Sequence, residues 1–262
     1  DKRNTSNTKG ANTMTSTYKH EFESFFHEEM DYKILADRAQ YDFVSAILAP
    51  TKQVQIIFCD SPAGTGKTAI ALTAAYYLLM QERITRIEYN RNAVSLRELG
   101  FNPGTPEEKE AVYMRPCIET MARIGKKLKR DAKFVEKLIT NEQLVCSTTT
   151  YHRGSDMSEN IVLILDEAQN YDLRELQTML TRPHDCVKVI VIGSHLQVDN
   201  EKMKKFGPGH DILPFNLYAK HFSDSGIPSV NIELTRNYRG KLATHADDIQ
   251  KTIKALESQP KE

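Results

Sequence analysis

Residues Ser61-Pro62-Ala63-Gly64-Thr65-Gly66-Lys67-Thr68 stand between an apolar run, Val54-Gln55-Ile56-Ile57-Phe58-Cys59, and a helix-forming stretch, Ala69-Ile70-Ala71-Leu72-Thr73-Ala74-Ala75. A strand, a loop of small residues, Gly-Lys-Thr and a helix together describe a phosphate cradle. In such a cradle the N–H groups of the loop and of the helix N-terminus surround a β-phosphate. Lys67 is expected to neutralise the β/γ oxygens, and the Thr68 hydroxyl to hold Mg²⁺. One residue departs from the usual pattern, which opens with glycine where this chain has Ser61. If Ser61 must adopt a positive φ, a strain of about 1–2 kcal/mol is expected.

The chain around this motif has 262 residues, 40% hydrophobic and 27% charged, with a formal net charge of zero. That is enough apolar material for one large α/β domain, and zero net charge gives no global basic field to attract nucleic acid. No run of 18 apolar residues and no signal-peptide pattern occurs, so neither a membrane span nor secretion is expected, and the cytoplasm is the expected compartment. Cys59, Cys117, Cys146 and Cys186 lie far apart without metal-ligand spacing, which predicts free thiols. None of the eight histidines is paired at such spacing.

Residues 1–18 are rich in Asn, Thr, Ser and Lys, a composition that predicts a flexible polar tail, and Met14 is a candidate native start. Residues 19–50 read as an N-terminal helical segment, with helical periodicity from Leu35 to Leu48 ended by Pro50. Residues 51–262 then alternate strands (54–59, 84–88, 143–147, 161–165, 188–192, 230–234) with helices (67–82, 107–138, 171–180, 212–222, 242–257). Continuous apolar runs such as Ile161-Val162-Leu163-Ile164-Leu165 and Val187-Lys188-Val189-Ile190-Val191-Ile192 suit strands covered on both faces. They predict a mostly parallel sheet with helices on each side.

Asp166 and Glu167 follow directly on the run 161–165, and a carboxylate at the C-terminal end of a parallel strand faces the ligand crevice of such a sheet. Asp166 is expected to hold Mg²⁺ and Glu167 to activate water. The next strand ends in Gly193-Ser194-His195-Leu196-Gln197, where the Gln197 amide could sense a γ-phosphate and His195 reads as an ordinary loop residue. After the last strand, Leu234-Thr235-Arg236-Asn237-Tyr238-Arg239-Gly240 offers two arginines as rigid forks for phosphate charge. Gln40, in the first helix, could pair with adenine and select ATP.

Assembled, these pieces resemble the PhoH-like ATPases, which are related to the RecA-like core of superfamily-one helicases. The resemblance runs from Gln40 to Arg239. It is carried by S-P-A-G-T-G-K-T at 61–68, N-R-N-A-V at 90–94, E-L-G-F-N-P-G-T-P-E-E-K at 98–109 and Y-M-R-P at 113–116. Further along it is carried by Y-H-R-G at 151–154, L-D-E-A-Q-N at 165–170 and L-T-R-P at 180–183. It implies a single RecA-like P-loop domain of α/β class that binds ATP and Mg²⁺ through Ser61, Pro62, Ala63, Gly64, Thr65, Gly66, Lys67 and Thr68. Asp166 and Glu167 would serve metal and water, and Gln197 the γ-phosphate. Either Arg236 or Arg239 would be an arginine finger: the N-Y-R-G segment favours Arg239 and family spacing favours Arg236.

The resemblance further implies a ring, hexameric, acting on single-stranded RNA or DNA. One RecA-like module per chain predicts that the finger comes from a neighbouring copy. Arg91 and Arg153 match family arginines for phosphate or nucleic-acid contacts, and Lys126 and Lys127 head a basic stretch at a predicted helix end. Lys202, Lys204 and Lys205 form another. Ser61, Asn90-Arg91-Asn92 and Ser194 depart from the family pattern, which leaves two readings open. One is an ATP-hydrolysing motor; the other is a nucleotide-gated binding module with slow or no turnover. A nucleoside kinase is a third, since disfavoured by the Asp-Glu-Ala-Gln segment.

Overall fold

The computed structural model describes residues 21–92, 106–148, 157–199 and 203–247, with Ile249 and Thr252. The polar tail, Ala93-Val94, the 98–105 part of the family segment, Arg153 with its Y-H-R-G neighbours, and Lys202 lie outside the described residues.

Helix α1 (Arg38–Leu48) precedes strand β1 (Ile56–Asp60), the phosphate loop and helix α2 (Lys67–Met80). The chain continues through β2 (Arg86–Arg91), α3 (Pro106–Lys127), α4 (Phe134–Thr140), β3 (Leu144–Thr148) and β4 (Ile161–Asp166). It then runs through α5 (Leu173–Leu180), β5 (Lys188–Gly193), α6 (Pro214–Ser223), β6 (Ser229–Ile232) and α7 (Lys241–Asp247). The six strands form one sheet in the order β3-β2-β4-β5-β1-β6, and every pairing is parallel. This is the α/β architecture expected from the buried apolar runs.

Side chains alternate across the sheet. On one face Ile57, Cys59, Val162, Ile164, Ile190 and Ile192 pack beneath α1, α2 and α3. On the other, Ile56, Phe58, Leu163, Leu165, Val189 and Val191 pack against Leu176 and Met179 of α5 and Phe215 of α6. Strands β4 and β5 are buried at every position, which is why they lack the apolar–polar alternation of a half-exposed strand. Phe22, Phe25 and Phe26 join the first core, so the segment before α1 packs into the same interior.

The stretch expected as one helix over 107–138 is two. Helix α3 stops at Lys127, Lys129 turns left-handed (φ 53°), and the Asp131 carboxylate accepts from the Lys133 N–H before α4 begins. Gly125 makes the reversal possible: a Cβ there would lie 2.4 Å from the ring of Phe134, which folds back onto it.

Helix α1 is anchored from inside the protein. Lys188, 4% exposed on β5, donates to the carbonyls of Ala46, Ala49 and Val54, and Arg83 donates to Leu48 O at 2.9 Å. A cation against the orphan carbonyls of a helix C-terminus is favourable, but burial with Arg83 nearby lowers the Lys188 amine to about 7. An amine lowered on folding is protonated in the unfolded chain and neutral in the folded one between pH 7 and its ordinary value. Stability contributed by this group therefore rises with pH across that window. Between pH 7 and 9, denaturant titration should show wild type gaining about 1–3 kcal/mol more than Lys188→Met, at 1.4 kcal/mol per pKa unit before screening. Equal gains in the two proteins would refute this.

Candidate nucleotide-binding site

Strand β1 delivers the phosphate loop to the C-terminal edge of the sheet, and β5 lies between β1 and the acidic strand β4. Loop, carboxylates and the Ser194–Gln197 turn thus meet at one crevice. Gly64 (φ 76°) and Gly66 (φ 87°) take the left-handed backbone, and Gly66 opens α2. A side chain at Gly64 would also strike Asn237 Oδ1 at 2.6 Å, so glycine is required there twice over.

Ser61 does not carry the expected strain, since it is not among the residues of positive φ. Buried instead (1% exposed), it ties the loop sideways: its N–H donates to Gly193 O at 3.1 Å, and its Oγ accepts from the N–H of buried Leu234 at 2.7 Å. Asp60, one residue earlier, makes the matching tie to the next loop. Its carboxylate accepts from the His195 N–H at 3.0 Å and from Asn216 Nδ2 at 2.7 Å, and it meets His195 Nδ1 at 3.0 Å. His195, expected to be an ordinary loop residue, is one half of a pinned pair.

Lys67 Nζ donates to Ser61 O at 2.6 Å and Pro62 O at 2.8 Å, folded along the loop. Burial lowers its pKa, and the nearby thiol and carboxylates oppose that shift. The Thr68 hydroxyl lies 3.1 and 3.2 Å from the two Asp166 oxygens. Fully buried Tyr89 donates to Asp166 Oδ2 at 2.6 Å. Burial first, then the Glu167 charge, raises the Asp166 pKa, so a cation at this point would relieve an unfavourable buried anion. A hydroxyl and carboxylate oxygens suit a hard ion such as Mg²⁺, which keeps waters and takes phosphate oxygens rather than a full protein cage. The Ser194 hydroxyl is buried without a hydrogen-bond partner among the described residues, a further polar group facing the same crevice.

Glu167 holds a left-handed backbone (φ 55°), a conformation costing a non-glycine residue about 1–3 kcal/mol. Its two oxygens meet Arg91 at 3.1 Å and Gln169 Nε2 at 2.7 Å. Gln169, fully buried, also donates to Gln197 O at 2.9 Å and accepts from the Ser194 N–H at 2.9 Å. Its amide joins the carboxylate to the Ser194–Gln197 turn, and Gly193 leaves it room, since a Cβ there would sit 2.8 Å from Gln169 Oε1. The only advance signal of this hub was its place in Asp-Glu-Ala-Gln; that of Tyr89 was its place in a buried strand.

The segment after β6 lies on the loop. Asn237 Nδ2 donates to Ala63 O at 3.2 Å, the Tyr238 N–H donates to Gly64 O at 2.9 Å, and the Tyr238 hydroxyl donates to Asp37 at 2.7 Å. Arg239 crosses Gly64 and lines a cleft of about 690 Å³ together with Lys67, Thr68, Arg91, Asp166, Glu167, Ser194 and Gln197. Arg236 stacks on the Tyr238 ring 5.2 Å away and is not part of the cleft lining. Gln40 lies beneath the loop, its Nε2 donating to Thr65 O at 3.0 Å. Lys126 and Lys127 are exposed at the end of α3, outside the cleft, and Lys127 pairs with Asp31 at 3.4 Å.

With loop, carboxylates and helices in this arrangement, comparison with known families gives a single answer. The model of the PhoH-like protein family matches residues 35–243. The chain belongs to the PhoH-like family. A PhoH-like protein of Mycobacterium leprae is 35% identical over 161 residues, covering 61% of this chain and 43% of that protein. A PhoH-like protein of Bacillus subtilis is 32% identical over 193 residues, 71% of this chain and 57% of that one. Protein PhoH of Escherichia coli is 34% identical over 166 residues, 62% of this chain and 44% of that one. The chain thus spans about half the length of these relatives. Among solved structures it is similar to the Pif1 helicase from Candida albicans, with a TM-score of 0.41 and 14% identity over 82% of this chain and 42% of that one. The PhoH-like assignment and the parallel sheet together make this a P-loop NTPase-type fold.

The tie at Ser61 reverses the expectation drawn from the family's glycine. Ser61→Gly leaves the buried Leu234 N–H without an acceptor, so it should destabilise the protein by about 1–3 kcal/mol in denaturant titration. An unchanged or higher stability would show that the tie is dispensable.

Proposed function

We propose that this PhoH-like chain binds ATP with Mg²⁺, hydrolyses it, and acts on single-stranded RNA or DNA. The observation that carries the reading is the convergence of Lys67, Thr68, Asp166, Glu167 and Arg239 on one cleft. Loop N–H groups and the α2 N-terminus would cradle the β-phosphate, with Lys67 swinging from the Ser61 and Pro62 carbonyls to the β/γ oxygens. Thr68 and Asp166 would hold Mg²⁺, which when bound would neutralise phosphate charge. Glu167, oriented by Arg91 and Gln169, would accept the proton of the attacking water. Gln197, fixed through Gln169, would contact the γ-phosphate, and Arg239 would stabilise transition-state charge.

For the base, the Tyr238 ring is 45% exposed beside the cleft and its hydroxyl is held by Asp37. It offers a stacking platform, while the Gln40 amide nitrogen is already engaged with the loop. Burial and the Asp37 hydrogen bond push the Tyr238 pKa up to about 12, so the ring stays neutral across working pH.

Arg239 reaches the cleft of its own chain, so the finger does not by itself call for a neighbour. A hexameric ring in the cytoplasm remains part of the proposal through the family resemblance, and light scattering with ATP present tests the ring. One observation favours the slower, nucleotide-gated reading: both Glu167 oxygens are engaged, by Arg91 and Gln169, and must be partly freed for proton transfer.

Steady-state hydrolysis with and without single-stranded RNA and DNA tests the proposal. Glu167→Gln should lower kcat by about 10²–10⁴-fold with ATP still bound, and Arg239→Ala by about 10³-fold. Arg236→Ala should leave kcat within about threefold, since its guanidinium lies on Tyr238 rather than on phosphate. Bound ATP with no turnover in the wild-type protein would replace the motor by the gated module. A larger loss for Arg236→Ala than for Arg239→Ala would refute the arginine assignment.

A further inference from the structure

The cleft has a second wall that none of the phosphate chemistry above uses. Arg115, Glu119 and Arg123 of α3 line it together with the phosphate loop. At about 100° per residue these positions fall within an arc of about 80°, and Lys126 falls inside the same arc. All four side chains are exposed, while Met114, Cys117, Met121 and Ile124 on the other side of α3 are buried. The result is one continuous stripe. From Arg115 to Lys126 it extends about 16 Å at 1.5 Å per residue.

Charge pairing within the cleft is uneven. Arg91 is committed to Glu167. Among the described residues Arg115 has no ion pair or hydrogen bond, and the Arg123 guanidinium meets only the neutral Thr120 hydroxyl, at 3.0 Å. Glu119, between them, also has no cationic partner among the described residues. The triphosphate's own charge is met by Lys67, the loop N–H groups, Arg239 and the Thr68–Asp166 ion site. A glutamate facing the cleft would oppose a still denser cluster of phosphates. A stripe of single cations at intervals along 16 Å fits a ligand carrying one charge per unit over several units, which is a polynucleotide strand.

We propose that the exposed face of α3, from Arg115 through Arg123 to Lys126, is a track for the phosphodiester backbone of a single strand, beginning inside the nucleotide cleft. This rests on the strand-acting reading above and names where the strand lies. Because the track starts beside the phosphate loop, strand and nucleotide would share α3 as a common wall. Glu119 acts as the break in the track, limiting how tightly the strand is held. Among the described residues no stacking array accompanies the stripe, so the track as proposed follows the backbone rather than the bases.

Fluorescence anisotropy with labelled U20 RNA and dT20 DNA over a salt series tests the track, beside binding of a fluorescent ATP analogue. At about 0.7 counterions per phosphate contact, each lost arginine should cost about fivefold in affinity at 0.1 M salt. Arg115→Ala/Arg123→Ala should therefore bind strands about 25-fold more weakly, with the salt slope reduced by about 1.4. Its ATP-analogue affinity should stay within about twofold of wild type. Glu119→Gln should tighten strand binding, the opposite sign, and Lys220→Ala on α6 should change nothing. Strand affinity unchanged in the double variant would overturn the track while leaving the strand-acting reading intact. A loss confined to ATP-analogue binding would also overturn it, assigning the arginines to the triphosphate. Wild type binding neither strand would overturn the strand-acting reading, and the track with it.

Discussion

Everything at this site depends on how the base of the phosphate loop is fixed between two neighbouring strands. Asp60 and Ser61, the last residue of β1 and the first of the loop, hydrogen-bond in opposite directions: to His195 and Asn216 beyond β5, and to Leu234 beyond β6. A parallel sheet brings these strand ends to one edge but leaves their loops free to diverge. The two side chains remove that freedom. They hold the 193–197 turn and the start of the segment after β6 at fixed offsets from the loop, the kind of preorganisation that phosphate chemistry rewards.

A second layer of polar contacts extends this order inward. Tyr89 aims Asp166, Gln169 couples Glu167 to Ser194 and Gln197, and Tyr171 with Asn90 and Ser147 closes the network beneath them. Buried networks of this kind are costly when half satisfied, and here nearly every member has its partner. The Ser194 hydroxyl is the exception, and it faces the cleft.

The sheet, the loop and the two carboxylates were legible in the sequence because each is a local pattern: apolar runs, small residues before Gly-Lys-Thr, acids at a strand end. The break between α3 and α4 was not, because it depends on Phe134 folding onto Gly125, a contact between residues that no periodicity pairs. Ser61 was misjudged for a related reason. Comparison with glycine suggested backbone strain, whereas the side chain has a partner just past β6, more than 170 positions away. Arg236 and Arg239 were indistinguishable as letters. What separates them is that Tyr238 takes one as a stacking partner while Gly64 leaves room for the other.

Helix α1 is gripped at both ends, with Gln40 on the loop at one and Lys188 and Arg83 on its terminal carbonyls at the other. The floor of the crevice therefore behaves as a stiff beam. Bending the loop at Thr65 would load the same helix whose other end closes on the buried Lys188 amine. The arm over the roof is different: Asn237 and Tyr238 meet the loop and Asp37 through partly exposed hydrogen bonds, and Gly240 behind them is left-handed (φ 108°). Partly exposed ties open at less cost than buried ones, so beyond the buried anchor at Leu234 the arm that carries Arg239 is the softer side of this crevice.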